Sequence, residues 1–296
     1  MDRKPMRGWL RVVLIILPFF IFVVISQILA SLVLGIKLSE RHLTPTLFQS
    51  TVSMLFFAAG TFSVVAIFRR WIDRESFRSL GFGLQNVVKE SVIGILMGIG
   101  MMVLGFGMLL VLNEIKWVGI NPDAGKILLS VVLFVIVAFN EELLFRGYIL
   151  GNLMLSMNRW VALLVSSFFF ALVHMGNAHI TLLSFCSILF AGLLLGLPYI
   201  FTRSLWLPLA LHFSWNYFQG TIFGFSVSGN AEYSLITQTR QGDTMLNGGA
   251  FGFEGSILAV VFLAIAIASL SLYYHRQERL TDANKITETV PIAESV

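Results

Sequence analysis

The chain has 296 residues and a mass of 33.0 kDa; 57% of the residues are hydrophobic, 12% are charged, and mean hydropathy is +0.84. A soluble domain carries about 25% charge to keep its surface wet, so this composition excludes a soluble globular protein and equally a disordered one. The net charge of +4 comes from basic residues dispersed beside apolar runs rather than gathered on a basic domain, which argues against nucleic acid as a partner.

A helix needs roughly 20 apolar residues to cross the hydrocarbon core of a bilayer. Eight runs qualify in chain order, at 10–34, 47–68, 91–112, 127–150, 161–175, 180–201, 205–225 and 256–274, the fifth being the shortest. The fold predicted is therefore all-α, a polytopic membrane protein of about eight transmembrane helices, with the lipid bilayer as its surroundings. The first run is too long for the core of a cleavable signal peptide and lacks a small-x-small cleavage site, so it reads as a retained span.

An even number of crossings puts both termini on one side. Of the basic residues, 15 fall on that side, from Arg3 through Arg69, Arg78 and Arg159 to Lys285, and 5 on the other, at Lys37, Arg41, Lys116, Lys126 and Arg240. The positive-inside rule makes both termini cytoplasmic. The expected location is a multi-pass position in a bacterial cell membrane. Four segments follow: residues 1–126 with the first three helices, a core at 127–225, a polar, Gly-rich non-cytoplasmic loop at 226–255 expected as a cap or re-entrant segment, and 256–296 with the last helix. After about Arg279 a disordered polar tail is expected. The single cysteine, Cys186, rules out an intrachain disulfide and a Cys-based zinc cage.

An ionisable group at membrane depth costs at least a few kcal/mol unless paired, so the few inside the runs carry information. The fourth run holds Asn140, Glu141, Glu142 and Arg146, the fifth His174, and the seventh His212 and Asn216. Glu142 and Arg146 are spaced i,i+4 with the acid first, the favourable order for an intrahelical ion pair. Glu142 then has a structural part, held ionised by Arg146. Glu141 points about 100° away and has no arginine four residues on, so it needs a partner from another helix and is the candidate working carboxylate. His212 and Asn216 share one helix face. A carboxylate, two histidines and an amide in a wet cavity supply a base, a proton-transfer group and donors for an oxyanion, a set that suits hydrolysis of an acyl bond. Taken singly, each histidine or Asn216 also reads as helix-helix hydrogen-bonding glue. His42, His179 and His275 fall at loops or span ends and read as solvated.

Glu-Glu-x-x-x-Arg at Glu141, Glu142 and Arg146, Phe-x-x-x-His at Phe170 and His174, and His-x-x-x-Asn at His212 and Asn216 stand in order on separate helices. Together they resemble the three motifs of the CPBP family, the intramembrane CAAX proteases and bacteriocin-processing or self-immunity proteins also called Abi. The resemblance implies an endopeptidase in which Glu141 activates water, His174 assists proton transfer, His212 with Asn216 stabilises the oxyanion, and Glu142 with Arg146 orients the site. It also implies a membrane-associated or prenylated peptide as substrate. No His-Glu-x-x-His pair is present, yet Glu141, His174 and His212 can form a two-His, one-carboxylate Zn2+ site with an open water position, or act without metal. Two other readings stay open, a proton-coupled transporter and a silent self-immunity or scaffold protein. One tension accompanies the constellation: from the span ends and a rise of ~1.5 Å per residue, Glu141 and His174 differ in depth by roughly 12 Å.

Overall fold

The computed structural model describes residues 6–36, 45–231 and 233–289, with side chains described to residue 281. Expectations resting on Arg3, Lys4, Lys37, Arg41, His42 and Lys285 fall outside the described residues or side chains. Eight helices make up the described fold: α1 (Gly8–Leu34), α2 (Leu47–Ile67), α3 (Val87–Val111), α4 (Ala124–Glu142), α5 (Arg159–Val173), α6 (Leu182–Thr202), α7 (Trp206–Tyr217) and α8 (Ile257–Thr289). This is an all-α polytopic membrane protein.

Seven of the helices are long and apolar enough to cross a membrane. The exception is α7, which with its π-helical extension Phe218–Ile222 corresponds to the seventh apolar run but falls short of a full crossing length. It lies inside the bundle. Leu207, Pro208, Leu211, His212, Ser214, Trp215 and Asn216 are all buried, so its ends meet protein and it need not match the thickness of lipid.

Close approach to α3 puts α7 there. Gly94, Gly98 and Gly105 lie on one face of α3, and a Cβ at Gly94 would stand 2.6 Å from the Leu207 carbonyl oxygen and at Gly98 2.0 Å from Ser214 Oγ. Small residues at such spacing let membrane helices touch backbone to backbone. At Gly105 a Cβ would strike the Phe253 ring at 2.4 Å.

The ends of the helices sort into two faces. At one, Gly8 abuts the Asn152 carbonyl, Arg11 and Arg69 both pair with the buried Asp73 at 3.3 and 3.0 Å, and Arg159 pairs with Glu278 at 2.7 Å. The start of α1 and the later part of α8 thus share a face, as an even number of crossings requires. At the other, β1 (Ile115–Ile120) pairs antiparallel with β2 (Ile236–Arg240), with an irregularity between Trp117 and Gly119. This small sheet belongs to the segment expected to be a cap. Glu114 fastens it to the glycine-rich turn by accepting from Thr244 Oγ1 at 2.6 Å and Asn247 Nδ2 at 3.1 Å. The expectation of a disordered tail directly after Arg279 is corrected over the described residues, because α8 continues through this polar segment to Thr289.

The α3 contact gives a paired prediction. Gly98→Ala drives a methyl into Ser214 and the Trp215 backbone, whereas Gly100→Ala meets nothing within 4 Å. Overpacking of this kind costs about 1–3 kcal/mol. Thermal unfolding in detergent is expected to show a lowered midpoint for Gly98→Ala and none for Gly100→Ala.

Candidate active site

Helix α4 continues without a break through the π-helical stretch Leu143–Leu150 to Gly151–Leu153. A wider turn of this kind inside an α-helix is frequent at functional sites. Here it follows the two glutamates directly, and all eight residues of the stretch are buried. Glu142 and Arg146 form the expected ion pair, with Arg146 Nη1 donating to Glu142 Oε1 at 2.9 Å. Arg146 is then used up on every side. Its Nη2 donates to the Gly192 carbonyl at 3.2 Å, and its guanidinium lies 4.3 Å from the centre of the Phe170 ring.

The Phe170 ring packs on the His174 imidazole with centroids 4.6 Å apart, and the Phe170 carbonyl lies 2.7 Å from His174 Nδ1. A carbonyl only accepts, so Nδ1 carries a proton, and in the neutral form of the ring the lone pair lies at Nε2. In α7, His212 Nδ1 sits 2.8 Å from Glu142 Oε1 and likewise donates to it. This contact was not foreseen. Glu142 therefore holds Arg146 and His212 at once and orients the second imidazole, as an outer carboxylate commonly does.

Both Nε2 atoms face one oxygen. Glu141 Oε2 lies 3.8 Å from His174 Nε2 and 3.7 Å from His212 Nε2, and it is buried with no hydrogen-bond partner among the described residues. The three helices expected to converge do so. The expected depth mismatch is absent: Glu141 lies 12 residues before Leu153 and His174 15 residues after Arg159, and their side chains bring Oε2 and Nε2 within 3.8 Å. Asn216, one turn after His212, is buried and lines the same cavity.

That cavity measures about 810 Å³. Apolar side chains of α1 and α2, among them Ile16, Phe19, Phe20, Met54 and Phe57, line much of it, and the polar groups gather around Glu141. Two lining residues were given no role by the sequence reading. Asn140, buried beside Glu141 with its Oδ1 unpartnered among the described residues, was legible in principle as a further intramembrane amide. Glu254 gave no signal, since it stands in the polar outer loop. It accepts from Trp215 Nε1 at 3.2 Å, from the Ser228 amide at 3.0 Å and from Ser228 Oγ at 2.8 Å. Burial pushes its carboxyl above the ordinary range, against the lowering effect of those hydrogen bonds.

The donor atoms of Glu141, His174 and His212, the residues expected as Zn2+ ligands, face one another, yet among the described residues no group of three or more His, Cys, Asp or Glu side chains is placed to hold a metal ion. Of the remaining histidines, His179 is exposed and His275 stacks on Trp160 at the surface.

Residues 123–218 match the family model described as type II CAAX prenyl endopeptidase, Rce1-like. The match spans all three motifs and agrees with the resemblance they carry. No curated protein and no solved structure matches the chain.

The paired charges at bilayer depth yield a stability test. Arg146→Met strands the buried Glu142 carboxylate, and breaking a buried pair in this way costs about 3–5 kcal/mol. The double variant Glu142→Gln/Arg146→Met, neutral and still able to accept from His212, is expected to recover most of that loss in thermal unfolding.

Proposed function

We propose that this chain, whose residues 123–218 match the type II CAAX prenyl endopeptidase model, is an intramembrane endopeptidase that hydrolyses a peptide bond of a membrane-associated or prenylated substrate with water activated by Glu141. The observation that carries the reading is the meeting of Glu141 Oε2 with the Nε2 atoms of His174 and His212 at 3.8 and 3.7 Å, on a cavity walled mainly by apolar side chains where α1 and α2 line it. Separations beyond 3.5 Å are too long for direct hydrogen bonds and suit a water bridging the groups.

In the proposed cycle Glu141 takes a proton from water while its oxygen adds to the carbonyl carbon of the scissile bond. His174, fixed by the Phe170 carbonyl, keeps its Nε2 lone pair toward the same water and assists the transfer. The oxyanion that forms accepts from the Asn216 amide and from His212 Nε2. His212 needs a proton on both ring nitrogens for that role, with Nδ1 donating to Glu142. When the tetrahedral adduct collapses, the carbon–nitrogen bond breaks and the proton held by Glu141 passes to the leaving amine. Glu142 and Arg146 touch no reacting atom in this scheme and act as positioning residues.

The cavity supports the proposed substrate class. Ile16 and Phe20 line it while being 44% and 55% exposed, so on the α1 side it opens toward lipid, where an acyl or prenyl chain can lie beside the peptide. Residues 127–225 serve in this reading as the catalytic core, with 1–126 supplying the apolar wall.

Removal of a positioned general base costs about 10²–10⁴-fold. Glu141→Gln, purified in detergent and offered a pool of lipidated peptides, is expected to lose cleavage to that extent while its unfolding midpoint holds. Equal turnover in both forms rejects Glu141 as the base, and proton-driven uptake without cleavage supports a transporter. A chelator added to the unaltered enzyme is expected to leave turnover unchanged. Loss restored by added Zn2+ would instead support the two-His, one-carboxylate metal reading.

A further inference from the structure

The reaction cavity has unlike ends. Toward the face that holds the start of α1 and the later part of α8, its lining stops at buried apolar residues, Val12, Ile15 and Ile149. Behind them the helix stretch Leu143–Leu150 is wholly buried, with the Leu80 backbone packed on it through Tyr199, whose hydroxyl donates to the Leu80 carbonyl at 3.1 Å. A second layer lies beyond, in which Asp73, Arg11, Arg69 and Asn152 bind one another at 3.0 to 3.5 Å. That end is closed twice.

Toward the opposite face the lining turns polar. Asn177 follows the end of α5, Ser228 and Asn230 belong to the outer loop, and Glu254 precedes α8. Asn230 is exposed, so the cavity reaches the surface there. The rim is built rather than loose. Gly229 adopts φ +83°, and a Cβ on it would stand 2.1 Å from the Ala178 carbonyl oxygen, so the loop from Val227 to Asn230 packs directly on the chain after α5. Gly229 also donates its amide to the Phe251 carbonyl at 3.0 Å. The remaining opening, past Ile16 and Phe20, is apolar and faces lipid. A peptide backbone cannot shed its hydrogen bonds to water there without heavy cost, whereas the polar rim offers amide, hydroxyl and carboxylate partners.

We infer that the peptide segment to be cut reaches Glu141 from the face opposite the chain ends, through the mouth formed by Asn177, Ser228, Asn230 and Glu254. That face is the non-cytoplasmic one by the distribution of basic residues. The substrate class that follows is a membrane-associated chain whose cleavable segment stands on the non-cytoplasmic side. The cutting itself rests on the peptidase reading; the sidedness of the cavity does not.

Cysteine accessibility tests it on the full chain. In a Cys186→Ser background, Ser228→Cys reports the mouth with a near-isosteric change, Asn230→Cys reports the rim, and Arg279→Cys, exposed beside the chain-end face, is the control. A membrane-impermeant sulfonated maleimide is applied to sealed membrane vesicles from one side at a time. The expected result is labelling of Ser228→Cys and Asn230→Cys from the side that leaves Arg279→Cys unlabelled, with loss of peptide cleavage once Ser228→Cys is labelled and none once Arg279→Cys is. Labelling of all three from one side, or of Asn230→Cys without Ser228→Cys, overturns the inference. Labelling as expected in a chain that cuts no peptide sinks the peptidase reading and leaves the sidedness standing.

Discussion

Everything polar inside this bundle depends on the ion pair between Glu142 and Arg146. Two adjacent carboxylates at bilayer depth repel each other and each demands solvation, and one turn of helix supplies a cation to only one of them. Arg146 is engaged by Glu142, the Gly192 carbonyl and the Phe170 ring, and among the described residues it forms no hydrogen bond or ion pair with Glu141. Adjacent positions on a helix point about 100° apart, and that angle carries the Glu141 carboxylate into the cavity. The neighbours are thereby divided. Glu142 becomes the buried anchor of Arg146 and His212, and Glu141 is left facing the Nε2 atoms of two imidazoles.

Packing serves that division. The carboxylates ride on α4, His174 on α5, and His212 and Asn216 on α7, so the geometry survives only if α7 is held against its neighbours as closely as the Glu142 contact requires. The glycines of α3 provide the close approach from behind, and Trp215 is tied to Glu254 of the outer loop at 3.2 Å. A helix so enclosed can be short and can carry histidine and asparagine without exposing them to lipid. Helices on the outside of the bundle face the bilayer instead, as the exposed Leu17, Phe20 and Leu32 of α1 illustrate.

What could be read in advance follows the same physics. Apolar runs mark crossings because lipid tolerates no unpaired backbone, and the i,i+4 relation of Glu142 to Arg146 is local geometry that spacing alone settles. The length of α7 was not legible, since hydropathy does not distinguish a helix bathed in lipid from one bathed in other helices. Nor was the contact of His212 with Glu142, which joins residues 70 positions apart. The apparent 12 Å mismatch arose from helix ends, where composition changes gradually and the π-helical stretch of α4 extends the rod. The sheet joining Ile115–Ile120 to Ile236–Arg240 is a pairing across more than a hundred residues, written in neither strand alone. Glu254 lay hidden for the opposite reason, being one acid in a loop where acids are ordinary.

The same arrangement weighs against the transporter reading that a buried glutamate and two histidines invite. A proton relay across the bundle must run from the polar mouth, past Glu141 and Glu142, to the second polar cluster at Asp73 and Asn152. Between them, within residues 143–150, the side chains that can hydrogen-bond are Arg146 and Tyr148. A guanidinium does not give up its proton in a protein, and the Tyr148 hydroxyl is buried with no hydrogen-bond partner among the described residues. Along this stretch of α4 the exchangeable groups therefore stop at Arg146, the residue that the carboxylate pair requires. On the proposed reading, a cavity with a polar mouth on one side of Glu141 and the buried Arg146 on the other suits consuming water in a reaction rather than passing protons through.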